Sequence, residues 1–418
     1  MTNKAPFVTR KWRRLVARAW TERCPVWTPV QSYAFGNDPF SRFHRRALDL
    51  RRPKAARAKS VVYTLYWPLR AVLLVAVALP GVDRKALHIR APIVSLFGMF
   101  WWLLVRHNIA LESALKFRLW QPQSFARARE YIQNEEITVV MTWIGNHTPR
   151  TGIEVKANFS NLCADHGLPH AETVAVYRDG DPVGDRQSFP PGDLFSKQDG
   201  SYGGSDGRAW AYDSRSETWQ NGQHRFDDAD LDQHFRTMSE GDRLVVQVCL
   251  TNADSLMPVS NGYLCTSRVV AYQAPGEEPR ILRAALRMPV GDNQVDNFVA
   301  GGLASIVDAD GRLSPAIQKR KDTEIVGVHP DTGQAVTGFQ IDNWTAVTDL
   351  ARRAQATMTD LPSVGWDIAL TPEGPKLVEA NVGWCAEILQ MPESEPLGLE
   401  FVTFIDTVAE ARDALTPA

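Results

Sequence analysis

Apolar positions follow two regimes along the chain. In the first third they come in long runs. KWRRLVARAW sets Trp12, Leu15, Val16 and Trp20 among Lys11, Arg13, Arg14 and Arg18. Two nearly unbroken apolar stretches follow, Val61 to Gly81 and Ser95 to Val105. From Leu111 to Glu130 the pattern predicts a helix, a break at Pro122 and a second helix, with Phe125, Ala128 and Ile132 at helical spacing. The run ITVVMTW, Ile137 to Trp143, is rich in β-branched residues and predicts a strand that opens the second regime. There, short apolar runs alternate with turn residues, as in VVQVCL and in GWDIALTPEGPKLVEAN. No internal repeat or low-complexity tract interrupts the chain. The boundaries this suggests are a basic segment over 1–60, an apolar helical region over 61–135, and a catalytic region over 136–418.

Charge sharpens that division. The net charge of −2 conceals fifteen Lys and Arg against Glu22, Asp38 and Asp49 in residues 1–59, a net of +12, which leaves −14 for the remainder. Three readings of the apolar runs stay open: buried helices packed on the catalytic body, interfacial helices on an anionic inner leaflet, and a transmembrane span. Pro68 and Arg70 interrupt the first run. A signal peptide is not expected, since the run begins far from Met1 and no small-residue cleavage site follows it. No recognisable nucleic-acid-binding fold surrounds the basic tract, so nucleic acid is not an expected partner. Cys24, Cys163, Cys249, Cys265 and Cys385 lack metal-ligand spacing and are odd in number, which points to a reducing cytoplasm, with the membrane's inner face as the peripheral alternative.

The segment from Gly365 to Trp384 carries the clearest chemistry. Residues two apart on a strand share a face, so Glu379 and Asn381 project together, and a hairpin through TPEG brings Asp367 opposite them. Two carboxylates and an amide oxygen suit magnesium, which takes its remaining ligands from water and substrate phosphates. An acidic hairpin is also an ordinary solvated strand edge, and the upstream segments weigh against that.

Those segments are DLFSKQDGSYGGSDG, VVQVCLTNADSL, CTSRVVAY, ALRMPVGDNQVDNFVAGGLASIVD and VHPDTGQAVTGFQIDNW, followed by the acidic hairpin. From about Thr138 onward the chain resembles the ATP-grasp superfamily, in particular its sugar-transfer-associated branch, related to alpha-L-glutamate ligases. The resemblance implies an α+β fold in which two lobes close on ATP, a nucleotide lobe over about 136–246 and a metal and substrate lobe over about 247–418. By the same resemblance, Lys197 contacts the nucleotide phosphates under a loop formed by Gly200, Ser201, Gly203, Gly204 and Ser205. Lys156 is the earlier lysine of the nucleotide lobe, and the strand around Gln247 forms the hinge over the adenine. Asp254 reaches the ribose or caps a turn. Arg268 and Arg287 face the transferring phosphoryl group, and Asp367, Glu379 and Asn381 hold Mg2+. Asp296, Asn297, Gly301 and Gly302 match the branch's VDN…GG signature, and Lys319, Arg320 and Lys321 form a basic run toward an anionic acceptor or solvent.

The function this implies is an ATP-dependent carboxylate–amine ligase working through an acyl phosphate and joining an amino acid or amine to a sugar-bearing or cell-surface carboxylate. Two alternatives use the same cleft: a phosphotransferase, and a membrane-tethered protein that binds nucleotide without turning it over. No GxSxG or Cys/His constellation points to a covalent nucleophile.

Overall fold

The computed structural model describes residues 7–51, 59–85, 87–145, 153, 155–185, 188–198, 207–292, 296, 298, 301–318, 324–358, 360–393 and 395–415. The chain divides into two compact units: Met1–Ile144 with Arg320–Glu324 and Gly383–Ala418, and Gly145–Lys319 with Ile325–Val382. The expected α+β class is observed, with helices gathered in the first unit and two antiparallel sheets in the second.

The first unit is helical. Helix Phe7–Thr21 packs on Ser60–Ala78, which pairs with Ile93–Arg106, and Pro39–Arg51 packs on Asn134–Ile144 and Leu399–Leu415. Its C-terminal part is tied to its N-terminal part by charge and amide contacts: Arg42 to Asp406 at 2.6 Å, Lys116 to Glu387 at 2.6 Å, and Gln390 Nε2 donating to the Ile132 carbonyl at 2.7 Å. The segment from Gly383 onward therefore groups with residues before 145, and the boundary drawn at 136 from the sequence falls inside a helix. That helix replaces the strand expected over Ile137–Trp143. Ile137, Val140, Met141 and Ile144 repeat at intervals of three and four and bury one face, so amphipathic packing outweighs the strand preference of the β-branched residues. Glu136 accepts from the Gln133 amide at 2.9 Å, satisfying one of the N–H groups a helix start leaves without a partner.

Several of the N-terminal cations are engaged internally. Arg23 pairs with Glu135 at 2.7 Å, Arg45 donates to the Ala34 carbonyl at 3.1 Å, and Arg46 lies over the Trp143 ring at 4.9 Å. His44 sits between Glu136 Oε1 at 3.1 Å and the Arg129 carbonyl at 2.8 Å. Against a background of burial, which opposes charge on both, His44 and Arg23 hold Glu136 down at about 2 and Glu136 holds His44 above its ordinary range.

His107 behaves in the opposite way. Burial first, then the charges of His44 and Arg106, bring it from an ordinary 6.5 down to about 4. As pH falls through 6.5 the unfolded chain takes up this proton while the folded chain does not. Stability is therefore full above 6.5, declines toward pH 4, and loses nothing more from this group below that. At about 1.4 kcal/mol per unit the contribution approaches ~3 kcal/mol. Urea unfolding at pH 7 and pH 5 is expected to show this decline in the native chain and a shallower one in His107→Gln; equal declines would contradict it.

In the second unit, β1 (Thr173–Arg178), β2 (Asp181–Pro182), β3 (Leu194–Gln198), β4 (Arg208–Asp213), β5 (Thr218–Asn221), β6 (His224–Phe226) and β7 (Arg243–Val248) form a sheet ordered β2-β1-β7-β3-β4-β5-β6. One face is closed by helix Asp228–Met238, whose Leu231 and Phe235 pack with Tyr177, Leu194, Trp210, Trp219, Leu244 and Val246. Asp227 caps this helix by accepting from the Asp230 amide at 2.8 Å. Side chains alternate across a strand, so Leu194 and Ser196 face this core while Phe195 and Lys197 turn to the other side.

The second sheet runs β12-β11-β10-β9-β8-β13-β14, built from β8 (Thr266–Tyr272), β9 (Arg280–Met288), β10 (Leu303–Val307), β11 (Ala316–Gln318), β12 (Glu324–Val326), β13 (Ser363–Thr371) and β14 (Gly374–Asn381). Helix Trp344–Ala356 covers one face with Val347, Leu350, Ala351 and Ala354. Val269 and Trp366, neighbours across β8 and β13, point to the apolar side, which leaves the alternate positions, Arg268 and Asp367, on the other.

Candidate active site

On the first sheet, Lys197 stands opposite Val245, and Phe195 opposite Gln247, on the face away from the aromatic core. Lys156 opens helix Lys156–Asp165, and its Nζ donates to the carbonyl of Gln198 at 3.0 Å, which brings a second lysine to the end of the strand that carries Lys197. Both are nearly buried, at 8% and 9% exposure, which is costly for an ammonium group unless it meets polar partners. Gln247 donates from Nε2 to the Ala171 carbonyl at 3.1 Å and to Thr173 Oγ1 at 3.3 Å. The Ala171 amide in turn donates to the Leu377 carbonyl on β14 at 2.9 Å, so the Gln247 strand is linked by backbone to the strand bearing Glu379 and Asn381. Asp254 is exposed at the start of a short 3-10 turn, Asp254–Val259. Gly200, Ser201, Gly203, Gly204 and Ser205 lie outside the described residues, as do Asn297, Lys319, Arg320 and Lys321.

On the second sheet the expected residues assemble in rows across the strands. Arg268, Asp367 and Glu379 are register neighbours on β8, β13 and β14, and Thr266 faces Arg287 in an adjoining row. The hairpin is not a plain one. Asp367 pairs with Glu379 but Ile368 pairs with Leu377, so Val378 is an extra residue that bulges β14. The bulge shifts the alternation by one and aims Glu379, rather than its neighbour, at the face of Asp367. The sequence pattern alone left this unseen.

Asp367 is 1% exposed and is clamped by both arginines. Arg268 bonds it through Nε to Oδ1 and through Nη2 to Oδ2 at 2.8 Å, and Arg287 Nη2 reaches Oδ2 at 2.9 Å. Burial opposes its charge, yet the two guanidinium groups win and hold the carboxyl below the ordinary range. Asn381 turns Nδ2 toward Asp367 Oδ2 at 3.5 Å and the Gly365 carbonyl at 3.4 Å, leaving its carbonyl oxygen for another partner. Glu379 is half-buried and makes no ion pair among the described residues.

Thr266 and Asp296 complete the cluster, and Thr266 had no signal in the sequence. Asp296 accepts from the Thr266 amide at 2.8 Å and from its hydroxyl, while that hydroxyl accepts from Arg287 Nη2 at 2.5 Å and Nε at 3.1 Å. The single hydroxyl proton thus points to Asp296 and the lone pairs to Arg287, fixing the guanidinium. Burial raises Asp296 above the ordinary carboxylate range despite Arg287 and Thr266.

The oxygens present suit a hard cation. Glu379 offers a carboxylate without a competing ion pair among the described residues, Asn381 a carbonyl oxygen, and Asp367 the open side of Oδ1, a set short enough that phosphates and water would complete it. No three His, Cys, Asp or Glu side chains gather as a metal site among the described residues. The cysteines take no part: all five are free, and burial pushes the Cys163 thiol up to about 12 and Cys249 up to about 11, far from the thiolate a nucleophile requires.

A family model described as "Sugar-transfer associated ATP-grasp" matches residues 150–402. The chain belongs to this ATP-grasp family. Its α+β fold and its motifs agree with that membership. A comparison with curated proteins by sequence found no match. Among solved structures, the ATP-grasp chain is similar to D-alanyl-alanine synthetase A from Vibrio cholerae, with 11% identity, 62% of this chain and 66% of that one covered, and a TM-score of 0.33. It is also similar to an L-amino acid ligase from Bacillus licheniformis, at 11% identity over 60% of this chain and 47% of that one, with a TM-score of 0.32. An ADP complex of N5-carboxyaminoimidazole ribonucleotide synthetase gives 12% identity, 60% and 52% coverage and a TM-score of 0.32. The matched part spans about half to two thirds of the length of these structures.

Proposed function

We propose that this ATP-grasp protein is a carboxylate–amine ligase that activates its carboxylate as an acyl phosphate. The observation that carries the reading is the array of Arg268, Arg287, Glu379 and Asn381 on one face of a single sheet, with Asp367 buried between the two guanidinium groups. Planar donors suit phosphate oxygens, and a fixed pair of them neutralises charge that develops as a phosphoryl group moves.

In the proposed reaction a carboxylate oxygen attacks the γ-phosphorus of ATP and the bond to the bridging oxygen breaks, releasing ADP. The amine nitrogen then attacks the acyl carbon, a C–N bond forms, phosphate leaves with the attacking oxygen, and the nitrogen loses its proton to solvent. Arg268 and Arg287 hold the transferring group and the acyl phosphate, with Thr266 and Asp296 fixing the Arg287 guanidinium. Lys156 and Lys197 bind the nucleotide phosphates, and the strand at Gln247 seats the base. Glu379 and Asn381, with Asp367, would hold Mg2+, which supplies positive charge at the phosphate oxygens when bound. Asp367 has a second task in this scheme: it sets the two arginines.

The substrates follow from less. The family description associates such proteins with sugar transfer, which favours a sugar-bearing or cell-surface carboxylate joined to an amino acid or amine. ADP release, measured across panels of amino acids and uronic or aminosugar acceptors, is expected to require both a carboxylate and an amine, and the product to weigh one water less than the two together. A stable phosphorylated product formed at full rate without amine would replace ligation with phosphotransfer.

A further inference from the structure

Helix Ser60–Ala78 presents a stripe of exposed apolar side chains. Val61, Val62, Leu65, Leu69, Val72 and Leu73 are 43–74% exposed and recur every three or four residues along its length. Only 28% of its apolar window is buried, so it is not a core helix. The paired helix Ile93–Arg106 extends the surface with Val94 at 78% and Trp102 at 44% exposure. The sole charged residue within Ser60–Ala78, Arg70, is removed from the stripe by a two-pronged contact with Glu22, Nε to Oε1 at 3.0 Å and Nη2 to Oε2 at 2.9 Å. The opposite side of the helix is committed to protein, with Trp67, Ala71, Leu74 and Val75 buried. Two indole N–H groups lock the pair: Trp67 donates to the Leu104 carbonyl at 3.3 Å and Trp101 to the Pro68 carbonyl at 2.9 Å.

Exposed cations stand beyond both ends of this helix and on the helix packed against it. Lys59 precedes the helix, Lys85 and Arg90 lie in the connection to Ile93–Arg106 against the single acid Asp83, and Arg14 and Arg18 stand on the helix packed alongside. A contiguous apolar surface of this kind on a soluble face marks an interaction site. These cations select its occupant.

We propose that this face rests on an anionic lipid bilayer, with the stripe among the upper acyl chains, the helix axis in the membrane plane and the cations at the headgroups. A helix held to protein along one side and apolar along the other can lie in the interface with its apolar side among the acyl chains. Each cation near such a surface raises partitioning roughly fivefold, and each leucine side chain sunk among acyl chains on the order of tenfold.

The test is co-sedimentation of the full chain with vesicles of phosphatidylcholine alone and of phosphatidylcholine with phosphatidylglycerol, alongside the variant Leu65→Asp/Leu69→Asp. Because both leucines face solvent, the variant is expected to keep its circular dichroism spectrum and melting temperature. The native chain is expected to pellet with anionic vesicles, to be weakened by salt, and to lose affinity about a hundredfold in the variant. Equal binding by native and variant chains would overturn the proposal. So would a chain that ignores both vesicle types yet sediments as a dimer that the variant breaks, since a second copy would then cover the face. Release only by detergent, unaffected by salt or alkali, would equally overturn it in favour of a spanning helix.

Discussion

Arg268→Ala is expected to unfold the protein at a temperature lower by on the order of 10 °C, a loss of about 3–5 kcal/mol. Asp367 is nearly inaccessible and takes two of its hydrogen bonds from this one guanidinium, so the truncation strands a buried carboxylate with Arg287 as its main partner. Turnover should fall below detection in the same variant. Arg268→Met/Asp367→Asn separates the two effects: removing both charges together should restore much of the stability, because the cost lies in the uncompensated charge, and none of the turnover. Thermal unfolding and ADP release on both variants check this. A fully stable Arg268→Ala chain would show that the Asp367 charge does not depend on Arg268.

Glu379→Gln is expected to do the reverse. The side chain is half-buried and unpaired among the described residues, so stability should change by about 0.5 kcal/mol at most. Turnover should drop on the order of 100-fold or more, since one of the two carboxylates that would hold the magnesium at the phosphates is lost. Raising the magnesium concentration should recover part of the loss if the defect is in metal binding. A variant with native turnover would remove Glu379 from the site.

The contrast between these neighbours was only half legible in the sequence. D…ExN spacing sets Asp367, Glu379 and Asn381 on one face, and in the strand register Asp367 pairs with Glu379 and Gly365 with Asn381. It could not reveal that Asp367 is clamped by arginines, because Arg268 lies 99 residues away and the pairing exists only once β8 and β13 are adjacent. The bulge at Val378 was equally hidden, since a single inserted residue leaves no compositional trace. Thr266 lacked any signal, being an ordinary strand threonine until Arg287 and Asp296 converge on it.

The misreading of Ile137–Trp143 has a different origin. The run carries both signals, a β-branched composition and the helical period of Ile137, Val140, Met141 and Ile144, and burial of that face decides for the helix. The basic N-terminus shows the limit of counting charge. Arg23, Arg42 and Arg46 are spent on Glu135, Asp406 and the Trp143 ring, so the surface potential rests on fewer cations than the net of +12 implied. For the same reason, deleting residues 1–59 would remove helices on which the first unit is built.

The acyl phosphate is the central claim, and oxygen transfer tests it directly. With a carboxylate and amine pair found by ADP release, the carboxylate is supplied with heavy oxygen and the released phosphate is analysed by mass. One labelled oxygen per phosphate is predicted, because the oxygen that attacks the γ-phosphorus leaves with it when the amine forms the amide. Unlabelled phosphate, with the heavy oxygen that amide formation removes found in water instead, would contradict it.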